Sequence, residues 1–111
     1  KKVALPLNVF KTVNEIASTS ATEIYTAPVG YTGVVLMAQA ANVDSATYTI
    51  TFAHKRGATV TELAKSTPIP GNDSLSLVTG RLVLESGDKI VLSSNDPSNI
   101  KVTISILETL N

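Results

Sequence analysis

The sequence predicts an all-β protein: a single-domain antiparallel β-sandwich, jelly-roll-like, with about eight strands. Three observations support this prediction. The length of 111 residues suits one domain. A hydrophobic fraction of 43% and a charged fraction of 16% lie outside the range of disordered chains. Short segments rich in Val, Ile, Thr and Tyr are separated by isolated Pro and Gly, and no linker or repeat divides the chain.

Two segments show the alternation of a half-buried strand. In residues 48–53, the side chains of Tyr48, Ile50 and Phe52 share one face and threonines occupy the other. In residues 100–106, branched apolar residues alternate with polar ones in the same way. The apolar residues of this second segment are Ile100, Val102, Ile104 and Ile106. We therefore expect these two segments to form the core.

A third segment, residues 32–41, has a different pattern. Residues 34–38 are consecutively apolar, so a strand here carries hydrophobic side chains on both faces. One face packs on the domain's own core. A loop, the N-terminal segment or a neighbouring subunit covers the other face, and we expect the cover to be internal.

Weaker patterns complete the set of strands. They predict strands at residues 23–26, 60–64, 75–78, 81–84 and 89–93. Residues 68–73 contain two prolines and a glycine, so we expect a surface connection that cannot continue a ladder. Residues 85–88 predict a tight hairpin with Gly87 in the left-handed conformation.

The first twenty residues fit neither a helical nor a strand period clearly. Their apolar residues have helical spacing, but several are β-branched, and Pro6 discourages a helix near the start. We assign residues 1–20 to an N-terminal arm or first strand, and residues 21–111 to the β-sandwich domain.

The residues offer little for catalysis or ligand binding. The sequence has no cysteine and a single histidine, His54, and no motif supplies that histidine with a carboxylate and a nucleophile. No calcium-loop spacing or glycine-rich phosphate cradle is present. We therefore predict no catalytic residue, no cofactor and no metal ligand, and no enzymatic activity.

Charge and hydropathy limit the partners. Nine basic and nine acidic residues give zero net charge, which disfavours binding to nucleic acid and to anionic membrane surfaces. A neutral surface also favours self-association. No apolar run approaches the roughly 20 residues that a membrane span requires. We expect a soluble protein made in the cytoplasm.

Four stretches carry a resemblance to a known family. In residues 23–35, a Tyr-x-x-Pro-x-Gly turn from Tyr25 to Gly30 precedes an apolar strand. The other stretches are an Ala- and Asn-containing bend at residues 40–46, a Leu-x-x-Gly-Asp-x-Ile segment at 84–90, and the ending at 102–108. Together they resemble small β-sandwich virion proteins of tailed bacteriophages.

This resemblance implies a non-enzymatic structural role, with no catalytic or cofactor residues to carry over. Such proteins decorate or cement capsids, or serve in tails, necks and baseplates, usually as symmetric multimers. We expect capsid decoration, with the virion as the location after assembly in the host cytoplasm. The expected partners are further copies of the chain and other virion proteins such as the major capsid protein.

The predicted subunit contacts come from the N-terminal arm and the apolar strand. They are Val3, Leu5, Leu7, Val9, Phe10, Val35 and Met37. A tail, neck or baseplate accessory protein is the first alternative. A carbohydrate- or receptor-binding β-sandwich is the second, and it is disfavoured because sugar platforms present aromatic side chains. Only 5% of the residues are aromatic and none is Trp.

Overall fold

The computed structural model describes residues 7–111, and this range forms nine β-strands and no helix. The strands are β1 (Asn8–Ile16), β2 (Thr22–Thr26), β3 (Tyr31–Asn42), β4 (Tyr48–Arg56), β5 (Thr59–Ile69), β6 (Ser74–Ser76), β7 (Leu82–Leu84), β8 (Lys89–Ser94) and β9 (Ile100–Leu110). No helix that could cross a membrane occurs in this range.

The strands form two antiparallel sheets. Sheet A has the order β1-β9-β3-β6, with β7 also paired to β3, and sheet B has the order β2-β8-β4-β5. The pairs are nested, since β1 pairs with β9, β2 with β8, β3 with β6 and β7, and β4 with β5. Such a nested hairpin, rolled up so that β3 meets β9 and β4 meets β8, is a jelly roll. The predicted all-β sandwich is confirmed, and β6 and β7 share one of eight strand positions.

The core lies between the inner faces of the two sheets. The two alternating segments predicted to form it do so, because their apolar side chains are almost completely excluded from solvent. These buried residues are Ile50, Phe52, Ile100, Val102, Ile104 and Ile106. Sheet A adds Val35, Ala38 and Ala40, while sheet B adds Ile69, Ile90 and Leu92.

The turn at residues 85–88 differs from the predicted hairpin. Gly87 has the expected positive φ of 86°, and the Asp88 N–H donates to the Glu85 carbonyl oxygen at 2.9 Å. However, β7 belongs to sheet A and β8 to sheet B, so this turn carries the chain across the sandwich. Alternation within a strand reveals its inner face, and it does not reveal which sheet the strand joins.

The prediction for residues 68–73 also needs correction, because the β5 ladder continues through Pro68. Pro68 pairs with Thr49 and Ile69 pairs with Tyr48. This is possible because β5 lies at the edge of sheet B, where a residue without an N–H is tolerated. The turn proper starts at Pro70, whose carbonyl oxygen accepts the Asp73 N–H at 3.2 Å.

The N-terminal region is a strand over its described part. β1 pairs with β9 from Asn8 opposite Thr109 to Ile16 opposite Lys101. Residues 1–6 lie outside the described residues, and with them the predicted contacts Val3 and Leu5.

Candidate assembly face

The outer face of sheet A, which we call the assembly face, is turned away from the core. In β9, Ile104 and Ile106 are buried, so the alternating Ser105 and Leu107 point outward. Cross-strand partners point to the same side of a sheet. The register therefore shows which residues of the neighbouring strands share this face.

An apolar row crosses all four strand positions of the assembly face. Leu107 pairs with Phe10 on one side and Val34 on the other, and Val34 pairs with Val83. The side chains at the two ends of this apolar row are open to solvent, with Phe10 74% exposed and Val83 53% exposed. Met37, which pairs with Ser105, lies beside the row and is 38% exposed.

Uncharged polar side chains occupy most of the remaining assembly face. They are Thr12, Asn14, Gln39, Ser76, Thr103 and Ser105. Two of them are bonded to each other, with Thr103 Oγ1 donating to Asn14 Oδ1 at 2.9 Å. Lys101, opposite Ile16 at the far end, is the one charged strand residue on this face within residues 7–111.

The outer face of sheet B has a different character. Glu23 on β2 forms ion pairs with Lys55 on β4 at 2.8 Å and Lys89 on β8 at 2.9 Å. The hydrogen bonds from Lys55 and then Lys89 lower the pKa of Glu23. Glu62 on β5 adds a further charge, opposite Ala53. A network of solvated charges favours contact with water, so the assembly face is the better candidate for contact with protein.

The structure separates two residues that the sequence placed together as subunit contacts. Spacing alone puts Val35 and Met37 on one face, but the register of β3 shifts between them, at Leu36. Val35 consequently pairs with Ile106 and is fully buried in the core, so its side chain is not available to a partner. Met37 pairs with Ser105 and lies on the assembly face.

The predicted contacts at the start of β1 also divide. Phe10 lies in the apolar row. Val9 pairs with the buried Glu108 and therefore points inward. Leu7 precedes β1 and is exposed. Sequence reasoning missed Val34, Leu107 and Val83 as members of the row, since only the cross-strand register brings these distant residues together.

His54 lies at one rim of the sandwich, where it contacts the carboxylate of Asp88. No local sequence motif predicts this contact. The Nε2 of His54 is 2.9 Å from Oδ2 of Asp88, a side chain that is 3% exposed. Arg56 also donates to this carboxylate, from Nη2 at 2.7 Å and Nε at 3.0 Å. Arg56 foremost, with His54 and the Glu85 N–H, holds the pKa of Asp88 well below its usual range. The Asp88 carboxylate therefore links His54 and Arg56 of β4 to the turn that begins at Glu85.

A second buried carboxylate, Glu108, lies on the inner side of β9. Tyr25 donates its hydroxyl proton to Glu108 Oε2 at 2.5 Å, and Lys11 Nζ lies 3.1 Å from Oε1. Gly33 allows this approach, since a Cβ there would stand 3.3 Å from the Tyr25 hydroxyl. Burial, and then the bond to Glu108, raise the pKa of Tyr25. This cluster fixes the predicted Tyr-x-x-Pro-x-Gly turn to the last strand.

Ligand-binding features are sparse in the described part of the chain. Within residues 7–111, no group of three or more His, Asp or Glu side chains could hold a metal ion. Phe10 is the one exposed aromatic side chain in that range. Tyr48 is half-buried, and its hydroxyl donates to Asp44 Oδ2 at 2.7 Å, which raises the pKa of Tyr48 to about 12.

The sequence matches no protein-family model and no curated protein. Solved structures do share the fold. A chain in the acidic stable capsid structure of Helicobacter pylori bacteriophage KHP30 overlaps with a TM-score of 0.57 at 8% identity, covering 95% of this chain and 89% of that one. A chain of the Bacillus endospore appendages, a family of disulfide-linked pili, overlaps with a TM-score of 0.54 at 14% identity, covering 100% and 99%. At these identities the likeness shows a common fold.

Proposed function

We propose that this chain is a non-enzymatic structural protein of a tailed-phage virion, and that it serves as a capsid decoration or cement protein. The observation that carries the proposal is the assembly face: a nearly uncharged sheet surface crossed by the apolar row from Phe10 to Val83. An exposed apolar surface rimmed by polar residues is typical of a protein contact site. The proposed location is the virion, after assembly in the host cytoplasm.

Two further observations support a virion role. The jelly-roll fold is shared with a chain of a phage capsid structure. The turn from Tyr25 to Gly30, the segment at residues 84–90 and the ending at 102–108 resemble tailed-phage virion proteins. The proposed partners are other copies of the chain and other virion proteins such as the major capsid protein.

Two other roles fit the residues less well. The endospore appendage that shares the fold belongs to disulfide-linked pili, whereas this sequence has no cysteine for such a link. A carbohydrate-binding module needs an aromatic platform. Among residues 7–111, Phe10 alone is an exposed aromatic, and it lies within the apolar row.

Mixing the purified chain with purified heads and with purified tails of the phage that encodes it tests this function. We expect the chain to co-sediment with heads in saturable, stoichiometric amounts. Heads stripped of the chain should release DNA at a lower temperature, and adding the chain back should restore the original temperature. Binding to tails alone would replace decoration by the tail, neck or baseplate role. A chain that binds neither particle, or that no phage genome encodes, would refute the proposal.

A further inference from the structure

The side chains of the apolar row are arranged so that the row can pack against a reversed copy of itself. The apolar row reads Phe10, Leu107, Val34, Val83 from the β1 edge to the β7 edge. The ends are therefore one large and one smaller apolar side chain, and the centre holds two aliphatic side chains of similar size. A row of this kind can pack against a reversed copy of itself, with large residues opposite smaller ones.

We propose that the assembly face is covered by the same face of a second copy, so that the chain forms a two-fold dimer through its apolar rows. This inference rests on the assembly role proposed above and names the partner. The two-fold axis runs parallel to the strands, between the two faces. It places Phe10 opposite Val83 of the partner subunit and Leu107 opposite Val34 of the partner subunit. The strands of the two sheets then remain aligned, as in sandwich packing.

The area of the face agrees with a dimer. Strands about 4.8 Å apart, with about 3.4 Å per residue, give four strand positions and nine residues of length an area of roughly 600 Å². Two such faces bury roughly 1,200 Å², the lower limit of stable, specific interfaces. A contact of this size gives a dimer that dissociates on dilution.

The charges and hydrogen-bonding groups also suit a second copy. Lys101 is the one charged strand residue of the face within residues 7–111, and it lies at the end away from the apolar row, so stacking buries no charge in the centre. The proposed axis brings Lys101 of both copies to the same end of the dimer, where these exposed side chains can extend into solvent. Hydroxyl and amide side chains, such as Ser105 and Gln39, both donate and accept hydrogen bonds, so identical faces can satisfy each other. A strongly charged partner would find no complementary charge at this centre.

Sedimentation velocity at about 10 to 500 µM protein tests the dimer with a matched pair of variants. Val83→Asp places a charge in the apolar row, while Val60→Asp places it on the outer face of sheet B, at a valine that is 45% exposed. We expect wild type to approach twice the monomer mass of 11.6 kDa. Val83→Asp should raise the dissociation constant at least tenfold and Val60→Asp by less than twofold. Wild type that stays monomeric, or equal weakening by both variants, overturns the dimer.

Cross-linking tests the same geometry without a new charge. The sequence has no cysteine, so a single introduced thiol reports on one position. Ser105→Cys places it beside the proposed axis, where faces about 10 Å apart leave roughly 11 Å between the two Cα atoms. A short bismaleimide should join two copies of this variant. Ser93→Cys, half-buried on the outer face of sheet B, should stay monomeric. Equal cross-linking of both variants overturns the dimer.

If something other than a second copy covers the assembly face, the sedimentation, cross-linking and particle-binding experiments give different results. Residues 1–6 as the cover would give a monomer whose Ser105→Cys thiol is protected from maleimide, which overturns the dimer. A monomer that binds heads also overturns the dimer but leaves the proposed function standing. A wild-type dimer that binds neither heads nor tails has the opposite meaning, because it refutes the function and retains the dimer.

Discussion

Replacing Tyr25 with phenylalanine removes one hydroxyl from a carboxylate that has almost no access to water. Glu108 is 3% exposed and accepts this hydroxyl at 2.5 Å, with Lys11 remaining 3.1 Å from its other oxygen. A hydrogen bond to a charged group contributes about 1.5 to 3 kcal/mol, and a buried acceptor left without its donor loses that amount. Lys11 limits the loss, so we expect Tyr25→Phe to lower the free energy of unfolding by about 2 kcal/mol.

The matched control is Tyr48→Phe, since Tyr48 also donates to a carboxylate, Asp44. Asp44 is solvated and keeps the Ser45 N–H at 2.7 Å, so water replaces the lost hydroxyl and the loss is clearly smaller. Urea unfolding followed by circular dichroism measures both variants. For a domain of this size, a change of 2 kcal/mol lowers the urea midpoint by about 1 M and the melting temperature by about 8 °C.

Protein concentration is held constant in this comparison because the proposed dimer would contribute to apparent stability. Equal losses of unfolding free energy in Tyr25→Phe and Tyr48→Phe would refute the reasoning. The larger loss expected for Tyr25→Phe rests on the burial of Glu108, which Asp44 does not share. The raised pKa of Tyr25 adds a second readout. The protonated Tyr25 hydroxyl stabilises the folded state fully below pH about 10, and this stabilisation is lost as the pH rises through the folded-state pKa of Tyr25. Wild type should therefore lose stability in alkali, and Tyr25→Phe should lose less.

Three further predictions follow from the described contacts. Folding depresses the pKa of Asp88, so the ionised Asp88 stabilises the fold at neutral pH, and this stabilisation is lost as the pH falls below about 4. Asp88→Asn should therefore have a lower melting temperature than wild type at pH 7, and its melting temperature should fall less in acid. Absorbance titration should find Tyr48 ionising with a pKa of about 12, and a normal value would contradict its bond to Asp44. Gly71→Ala should be strongly destabilising in thermal melts, since its Cβ would clash with the Ser45 carbonyl oxygen, whereas Gly80→Ala meets no atom within 4 Å and should be tolerated.

The parts of the fold that sequence could predict are those governed by strict alternation. Ile50, Phe52 and the isoleucines of β9 repeat every second residue, and a strand geometry then leaves one choice of inner face. The prediction that Val35 contacts a partner was wrong because one inserted residue, Leu36, reverses the alternation of faces within a consecutively apolar strand. Consecutive apolar residues carry no signal that would locate such a bulge.

The sites depended on contacts between distant residues, which no local pattern contains. Asp88 meets His54 across 34 positions, and Glu108 meets Tyr25 across 83. The apolar row likewise joins four strands that are widely separated in sequence. Its members become a surface only once the order β1-β9-β3 is known. A correct set of strands therefore did not by itself locate the face.

The nested pairing of strands imposes an order on how the chain can reach its final structure. The central hairpin of β4 and β5 closes across a turn at Gly57, so it can form soon after its residues are synthesised. Edge strand β1 pairs with the last strand, β9, and the Leu110 N–H donates to the Leu7 carbonyl oxygen at 2.8 Å. We expect this pairing to form late, because its partners are so far apart in sequence. Pairings this distant in sequence make folding slow, on a timescale of roughly milliseconds to seconds. Until β1 has paired with β9 the apolar row is incomplete, so we expect the proposed dimer to form only between chains that have already folded.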